Sequence, residues 1–315
     1  MIPTEADWDA APSLLDGAMH LEMTAHQCNL RYWLRAVPQG TLRGNLDGHD
    51  PAWVAPDHMR AGPLFEAIAQ EYAFRAVAEE KAARALSYLV PLAPDTDTME
   101  FYATQVLDEA RHAMVFRNHL VTQGVPETEL WQVIERHAGT EIRSILDPLE
   151  EFGLEIMRDH ADFLGGVVVM TIILEGALAP AAELSERKWR PLDSAAADID
   201  KGAGIDEIRH LTVGASVARQ YLLDHPERRP ETLELIRRGM GMWATLPVHG
   251  MVNRREELFQ EGLERHADIV GDYEIWPGRR LVDTTPAERQ RTADGWSAEM
   301  KDIRLKYMGL GEVLT

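Results

Sequence analysis

Cysteine is almost missing from this chain of 315 residues, because Cys28 is the only one. A single cysteine excludes a disulfide within the chain and a zinc site built from cysteine thiolates. The runs of alternating β-branched residues that are typical of strands are also nearly absent. The acidic first residues lack the basic and then apolar order of a secretory signal, so we expect a cytoplasmic protein.

Basic residues are too few for a nucleic-acid-binding surface, since 32 Lys and Arg stand against 52 Asp and Glu, a formal net charge of −20. That balance is compatible with a cationic substrate, a metal ion or simply a well-solvated surface. One long apolar run occurs, at 163–182, and Glu175 lies in its middle. A charge at that depth in lipid would be costly, so we expect a helix buried in protein and no membrane span.

Stretches rich in Ala, Leu, Glu and Arg with helical spacing predict an all-α fold in a single domain, 1–315. We expect a bundle of long helices at about 63–223. One helix, at about 13–36, and a Gly/Pro-rich connection precede the bundle within 1–62, and further helices follow it within 224–315. The helices predicted after the connection cover about 63–89, 95–123, 127–146, 149–188, 191–223, 232–269 and 285–308.

The pentapeptide Asp-Glu-x-Arg-His occurs twice, at 108–112 and at 206–210. A Glu and a His three residues apart lie on one face of a helix, so both can reach one metal ion. The pairs are Glu109 with His112 and Glu207 with His210. Glu109 and Glu207 fall in apolar stripes of their helices, and a charged residue in a buried stripe needs a partner. The repeat therefore predicts a metal site between two helices.

A four-helix dimetal site needs two more carboxylates, one from each remaining helix. Glu79 falls on the apolar face of its predicted helix, whereas Glu80 lies about one hundred degrees away. Glu175 is the only charge in its apolar run. These two carboxylates precede the pentapeptide Glu residues by thirty and thirty-two positions. Four carboxylates and two imidazoles suit Fe or Mn and not a structural zinc site.

The aspartate and arginine residues of the pentapeptide also have predicted roles beside the metal. A metal-bound His usually donates its second ring N–H to a carboxylate, and Asp108 and Asp206 are placed to accept it from the opposite helix. Arg111 and Arg209 are placed to balance the charge of this acidic cluster. The alternative for all four residues is ordinary pairing at a surface or a helix end.

These residues resemble the ligand set of ferritin-like di-iron oxygenases and ribonucleotide reductase small subunits, over roughly 63–223. The matching positions are Glu79, Asp108-Glu109-x-Arg111-His112, Glu175 and Asp206-Glu207-x-Arg209-His210. In size and order the chain is similar to the amine N-oxygenases, and most similar to the isobutylamine N-hydroxylase type. Arylamine N-oxygenases of this group carry a third His one turn before the last Glu. This chain has Ala203 at that position, which favours a different branch.

The resemblance implies a ferritin-like bundle, similar to the ribonucleotide reductase small subunit, that holds two Fe ions, with Mn as the substitute metal. It implies a cycle in which the diferrous centre takes up O2 and forms a peroxo-diferric intermediate. That intermediate would hydroxylate the nitrogen of a small alkyl amine in a biosynthetic pathway. Electrons would come from reduced flavin or a separate reductase, because the chain has no flavin or nicotinamide fingerprint of its own.

Two alternative functions remain open from the sequence. The same centre could hydroxylate, desaturate or cleave a carbon–carbon bond of another small metabolite. A ferritin-like radical-generating or iron-handling subunit is the alternative from a different class, and Tyr102 is the candidate for the radical.

Weaker signals concern the substrate pocket and further histidines. We expect Tyr102, Thr171 and Leu178 to line the pocket. Glu22 and His26 lie four apart, which favours an ordinary pair over a second metal site. His249 is a candidate for the cavity wall, although a lone His is more often structural. Apolar faces on long helices favour a homodimer.

Overall fold

The computed structural model describes residues 2–43 and 45–314, and helices dominate it, which confirms the all-α class. The N-terminal third contains α1 (Leu14–His20), α2 (Leu30–Ala36), α3 (Pro63–Leu86), α4 (Leu89–Leu92) and α5 (Thr96–Thr122). The middle contains α6 (Leu130–Glu141), α7 (Asp147–Leu154), α8 (Phe163–Val168), α9 (Glu175–Trp189) and α10 (Ser194–Asp224). The rest contains α11 (Arg229–Trp243), α12 (Val248–Arg265), α13 (Ala267–Val270), an antiparallel hairpin of β1 (Glu274–Trp276) and β2 (Arg279–Arg280), and α14 (Pro286–Tyr307).

Four long helices form the centre of the molecule. α5 packs against both α3 and α10, and α10 also packs against α9. Two large apolar clusters fill the spaces between them. Tyr72 and Phe116 join α3 to α5 in one cluster, with ring centroids 4.8 Å apart. The helices that carry the two pentapeptides therefore lie side by side in the core.

Acidic caps begin both of these helices. Asp95 accepts a hydrogen bond from the backbone N–H of Thr98 at 2.9 Å, and Asp193 does the same for Ala196 at 2.9 Å. Such a cap satisfies a backbone donor that has no partner within the helix. Each cap lies fourteen residues before the Glu of its pentapeptide. The two helices thus present their pentapeptides at the same distance from their first turns.

The single N-terminal helix predicted at 13–36 is wrong, because two short helices, α1 and α2, stand in its place. Between them Thr24 accepts and donates local hydrogen bonds with Gln27, at 3.0 Å from Thr24 N to Gln27 Oε1. Asn29 then caps α2 by accepting from Tyr32 N at 3.4 Å. Side chains that bond to nearby backbone in this way compete with helix formation.

Two of the longer predicted helices are also interrupted in the structure. The helix predicted at 149–188 breaks at Ala161, whose φ is +50°, and Asp162 caps α8 by accepting from Gly165 N at 3.0 Å. The helix predicted at 232–269 is divided into α11 and α12 just before and after Pro247, because proline interrupts the helical hydrogen bonds. π-helical turns replace α-helix at Ile142–Leu146, Glu155–Asp159 and Val169–Leu174.

The apolar run forms the segment Phe163–Trp189, which is long and apolar enough to cross a membrane, with a mean hydropathy of 1.9 over its most apolar window. Inside this protein 78% of that window is buried. The segment packs against α10, α11 and α14. It is thus a core helix of the fold, as the position of Glu175 predicted.

The C-terminal helices cover the bundle from outside. α12 packs against α3, and α14 packs against α9. Lys188 of α9 donates to Glu256 of α12, which also accepts from Arg289 Nε at 2.6 Å. All three side chains are buried. Breaking one such buried pair leaves an unpaired charge, so these contacts fix the outer helices in place.

A close contact between α10 and the π-helical turn before Glu175 requires glycine at position 214. A Cβ atom there would lie 2.1 Å from Thr171 Oγ1 and 3.2 Å from Thr171 Cγ2. We expect Gly214→Ala to lower the free energy of unfolding by about 1–3 kcal/mol, because the packed core cannot relax fully. Adding Thr171→Ala removes both atoms and should restore most of the loss in urea unfolding. A double variant no more stable than Gly214→Ala would contradict this explanation.

Candidate metal centre

Six side chains from four helices meet in the core between α5 and α10. They form two groups, and in each group the possible ligand atoms lie within 4.8 Å of one another. The first group is Glu79, Glu109, His112 and Glu207, and the second is Glu109, Glu175 and His210. Glu109 belongs to both groups. The geometry therefore offers places for two neighbouring ions that share at least one carboxylate.

The two imidazoles turn the same nitrogen towards this centre. Nδ1 of His112 lies 3.2 Å from Glu109 Oε2, and Nδ1 of His210 lies 3.1 Å from Glu109 Oε1. Nδ1 of each ring is also within 4 Å of Glu207 Oε1, at 3.8 Å from His112 and 3.6 Å from His210. Both rings therefore present Nδ1 to the carboxylates and leave Nε2 for other partners.

Those partners come from the opposite pentapeptide. Nε2 of His112 lies 3.3 Å from Asp206 Oδ2, and Nε2 of His210 lies 3.3 Å from Asp108 Oδ2. This is the crosswise placement predicted from the spacing of the sequence. A carboxylate on the far nitrogen fixes the tautomer and the orientation of a metal-binding imidazole.

The two arginines complete the crosswise arrangement. Arg111 donates to Asp206, and Arg209 donates to Asp108. Arg209 Nη1 also lies 3.3 Å from Asp206 Oδ1. Asp108, Asp206 and Arg209 are almost fully buried. The negative charge of each aspartate is thus balanced without help from the centre itself.

Two polar atoms of the centre have no hydrogen-bond partner among the described residues although they are buried. They are Glu175 Oε2 and Glu207 Oε2, whereas Glu109 Oε1 and His210 Nδ1 have only each other, at 3.1 Å. Leaving such atoms without partners costs free energy, and the cost is largest for charged groups. All four face the same small volume in the two ligand groups. The residues present therefore fit a bound metal, because metal ions would be the missing partners of these atoms.

Burial and mutual repulsion raise the pKa values of two of the carboxyl groups. Burial, and then the carboxylate of Glu109, raises the pKa of Glu79 well above its usual value. Burial, and then the carboxylate of Glu207, does the same to the pKa of Glu175. These two carboxyl groups therefore bind protons in the metal-free protein at pH values where an exposed glutamate is ionised.

The pKa values of both imidazoles are raised. Burial alone would lower the pKa of His112, but hydrogen bonds with Asp206 and Glu109 raise it to about 10. Burial also opposes the charge of His210, yet the Glu109 carboxylate raises its pKa well above the usual value. Both rings therefore carry two protons in the metal-free protein at neutral pH, and metal binding has to displace one from each.

The two ends of the centre differ in polarity. Beside Glu79, the Arg75 side chain one turn earlier on α3 forms an ion pair with buried Asp200. Beside Glu175, the neutral amide of Gln105 donates from Nε2 to Oε1 at 2.7 Å. The Glu175 end is thus the one with fewer charges.

The residues predicted for the pocket lie near this less charged end. The O–H of Tyr102 is buried and has no acceptor among the described residues. Thr171 is buried one turn before Glu175 and faces Gly214. Leu178 is half-buried about one turn after Glu175, and Ala203 is buried one turn before Glu207. The structure thus places Tyr102 and Thr171 in the core around the centre.

Two residues near the centre were missed by sequence reasoning. Gln105 lies four residues before Glu109 on α5, a spacing that places both on one helix face. That spacing was a usable signal for Gln105. Trp33 donates from Nε1 to Asp108 Oδ1 at 2.9 Å from the short helix α2. No pattern in the sequence connects Trp33 to a residue 75 positions later.

The other candidate histidines lie away from the centre. His26 pairs with Asp97, at 2.5 Å from Nδ1 to Oδ2, and its side chain is 84% exposed. It is therefore in an ordinary surface pair, as the sequence favoured, but its partner is Asp97 and not Glu22. His249 is exposed on α12, so the suggestion that it faces the cavity is wrong.

Removal of one aspartate tests the crosswise arrangement. Asp108→Asn leaves the buried Arg209 without its main anionic partner, so we expect a loss of about 3–5 kcal/mol in the free energy of unfolding. We also expect metal affinity to fall by about 10–100-fold, because His210 loses its orienting carboxylate. Urea unfolding and metal titration measure the two effects. Asp97→Asn is the matched surface control, and equal losses in the two variants would contradict the assignment.

Sequence comparisons with known protein families and with curated proteins found no match for this chain. The centre is therefore interpreted from its own residues.

Proposed function

We propose that the protein is a non-haem di-iron monooxygenase of ferritin-like architecture that uses O2 to hydroxylate the nitrogen of a small alkyl amine. The observation that carries this proposal is the set of four carboxylates and two imidazoles in one buried volume, where Glu175 Oε2 and Glu207 Oε2 have no hydrogen-bond partner among the described residues. Bundles of four helices with this ligand set hold two metal ions in carboxylate-bridged proteins.

The donor atoms favour iron, with manganese as the substitute. Every donor is a carboxylate oxygen or an imidazole nitrogen, which suits these metals. Four ionised carboxylates balance two divalent ions, so the filled centre carries no net charge. Neutrality matters here because an uncompensated charge in a protein core is costly. The aspartates beside the centre are already balanced by Arg111 and Arg209.

Bound iron would supply the activation of O2 and the oxidising equivalents for the substrate. The protein's own residues do the remaining work. Asp108 and Asp206 hold the two imidazoles in one tautomer, and Gln105 orients the carboxylate of Glu175 through Oε1. The apolar cluster around Tyr102 excludes water from the Glu175 end. Electrons would come from reduced flavin or a separate reductase.

An amine substrate fits the Glu175 end of the centre best. That end has a neutral amide, a phenol and apolar side chains in place of the Arg75–Asp200 ion pair at the opposite end. A small alkyl amine in its neutral form can enter such a site without burying a charge. The Tyr102 O–H is available to donate to a lone pair, because it has no acceptor among the described residues.

A radical-generating subunit is the second candidate, and the same Tyr102 favours it. The phenol is buried within the aromatic group of Phe101 and Phe163, with ring centroids 5.0 and 5.9 Å away. Tyr102 lies seven residues before Glu109, which places it two turns away on the same face of α5. An oxidised phenol in that position would be protected from solvent.

Anaerobic reconstitution separates the two candidates. The full chain is loaded with ferrous iron, the bound iron is counted, and O2 is then added with and without a series of alkyl amines. The oxygenase proposal predicts about two ions per chain and one hydroxylamine per O2 consumed, from an alkyl amine in preference to an aryl amine. A long-lived tyrosyl radical without amine oxidation would support the second candidate and reject the first. Tyr102→Phe distinguishes them further, because it abolishes the radical but leaves iron binding intact.

A further inference from the structure

A second polar layer is buried in the bundle about two helical turns from the candidate metal centre. His119 lies seven residues after His112 on α5, so it is on the same helix face about 10 Å further along. His49 approaches it from the connection between α2 and α3. The two ring centroids are 6.0 Å apart, His119 is fully buried and His49 is 6% exposed.

Glycine before His49 allows this approach. Gly48 has a φ of +77°, a conformation that side-chain-bearing residues rarely adopt. A Cβ atom there would lie 3.1 Å from Ile199 Cγ1 on α10. The connection is thus folded against the bundle in a way that buries one imidazole beside another.

Hydrogen bonds determine which nitrogen of each ring is free. His49 Nδ1 lies 2.9 Å from the carbonyl oxygen of Asp50, which can only accept, so Nδ1 carries the proton. His119 Nε2 has the Gln123 amide nitrogen at 3.1 Å and Asp193 Oδ2 at 2.8 Å, and because the carboxylate can only accept, Nε2 carries the proton and donates to it. The opposite nitrogens, His49 Nε2 and His119 Nδ1, are buried and have no partner among the described residues.

Neither protonation state of His119 gives every buried polar group of this layer a partner. If the ring is neutral, the carboxylate of Asp193 is buried at 1% exposure with no cation among its hydrogen-bond partners in the described part of the chain. If the ring is charged, its Nδ1–H is a buried donor without an acceptor. Each alternative is costly. A cation bound to Nδ1 removes both difficulties, because it neutralises Asp193 and occupies the free nitrogen.

We propose that His49 and His119 bind one copper(I) ion through Nε2 and Nδ1. Metal-binding imidazoles characteristically donate their other N–H to a carboxylate or a backbone carbonyl, and these rings do so to Asp193 and Asp50. With a metal–nitrogen distance of about 2 Å and the near-linear geometry of a two-coordinate ion, two ligating ring centroids would lie roughly 6–6.5 Å apart. The observed separation of 6.0 Å lies within that window.

The identity of the ion follows from what else the layer contains. Both oxygens of Asp193 already accept hydrogen bonds, Oδ1 from Ala196 N at 2.9 Å and Oδ2 from Gln123 Nε2 at 2.8 Å. Trp53 and Tyr72 stand beside His119, with ring centroids at 5.4 and 5.2 Å, and limit the room for water ligands. Zinc requires about four ligands and iron prefers carboxylates. Copper(I) is stable with two imidazoles, and its single charge matches that of Asp193.

An ion at this position would tie the connection to the bundle. His49 belongs to the connection between α2 and α3, whereas His119 is buried in the last turn of α5 beside Tyr72. The bound ion would stabilise the folded chain by mass action. This inference concerns a separate site and does not depend on the proposed oxygenase activity.

The test uses the full chain with its candidate dimetal centre first filled with ferrous iron, so that copper cannot bind there. Copper(I) is titrated anaerobically in competition with a chromogenic chelator, and metals are counted after gel filtration. We expect about one copper per chain and a rise in melting temperature of about 3 °C. X-ray absorption at the copper edge should show two nitrogen ligands.

His49→Ala is the main variant, because His49 lies in a connection and its loss leaves the helices intact. We expect it to bind no copper at the chelator concentration that leaves the wild type loaded, with no rise in melting temperature. His119→Gln should behave alike if it folds, and His26→Ala, an exposed histidine, should retain copper. The proposal is overturned if the wild type binds no copper, if His49→Ala keeps it, or if zinc binds with four ligands in its place.

Discussion

Replacement of Glu109 by alanine is expected to reduce bound iron from about two ions per chain to fewer than one. Glu109 is the one carboxylate that belongs to both ligand groups, and its two oxygens lie 3.2 and 3.1 Å from the Nδ1 atoms of His112 and His210. Its loss therefore removes a ligand from both ions at once. Glu79→Ala, which affects one group alone, should retain about one ion.

Glu80→Ala is the matched control for these variants. Glu80 is the sequence neighbour of Glu79, but its carboxylate pairs with Arg84 and Arg117 on the outside of the bundle. We expect this variant to bind two ions and to keep any O2-dependent activity, whereas Glu109→Ala loses both. Metal counting after dialysis measures the difference. Two ions bound per chain in Glu109→Ala would show that the centre is not where we place it.

Loading the centre with two divalent ions is expected to release about four protons per chain in mildly acidic solution. The pKa values of Glu79 and Glu175 are raised by burial and by neighbouring carboxylates, and that of His112 is raised to about 10. His210 is shifted in the same direction. Each of these four groups holds one proton that a metal must displace. Two divalent ions thus exchange for four protons without a change in net charge.

The sign of the pH dependence follows from this exchange. At pH values below the raised pKa values, the affinity of the centre for metal ions increases with pH. Four protons are exchanged for two ions, so the product of the two association constants increases about 10⁴-fold per pH unit, which is about 100-fold for each ion. In the metal-free protein the same four groups bind more protons when folded than when unfolded. Their contribution to stability is therefore present at low pH and is lost as pH rises through the raised pKa values.

Calorimetric titrations in buffers of different ionisation enthalpy measure the number of protons. Glu79→Gln keeps the shape of the side chain but removes one titrating ligand and weakens the ion that it shares with His112, so it should release about two protons where the wild type releases four. A wild type that releases fewer than about two protons would falsify the assignment of raised pKa values. The Glu80→Gln variant, which alters a half-buried carboxylate outside the two ligand groups, should release as many protons as the wild type.

The positions of the six candidate ligands could be predicted from the sequence because they obey helical geometry. Glu109 and His112 are three residues apart, and one helix face brings them together whatever the rest of the fold does. The same periodicity assigns Glu79 over Glu80, and Glu175 is the only charge in an apolar run. The crosswise bonds from Asp108 and Asp206 were accessible for the same reason. Local geometry decides these positions, and it is visible in the sequence.

Features that depend on chain reversals were not predictable in this way. The break at 21–29 depends on Thr24, Gln27 and Asn29 bonding to nearby backbone, where an apolar pattern continues across the gap. Trp33 reaches Asp108 only because that break redirects α2 towards α5. The layer around His49 and His119 depends on the path of the connection between α2 and α3. That path cannot be predicted from a helical or strand pattern in the sequence. Tertiary placement, which competes with local propensity, decides these positions.

The crosswise bonds of the two pentapeptides also determine when the centre can form. Arg209 and Asp108 are 101 residues apart in the chain, and Arg111 and Asp206 are 95 apart. A growing polypeptide that ends before position 206 exposes Glu109 and His112 with no opposite pentapeptide to orient or balance them. Contacts of such long range form late in folding. Metal ions would therefore enter only after about two thirds of the 315 residues have been synthesised, and a chain truncated before position 206 would leave the ribosome without them.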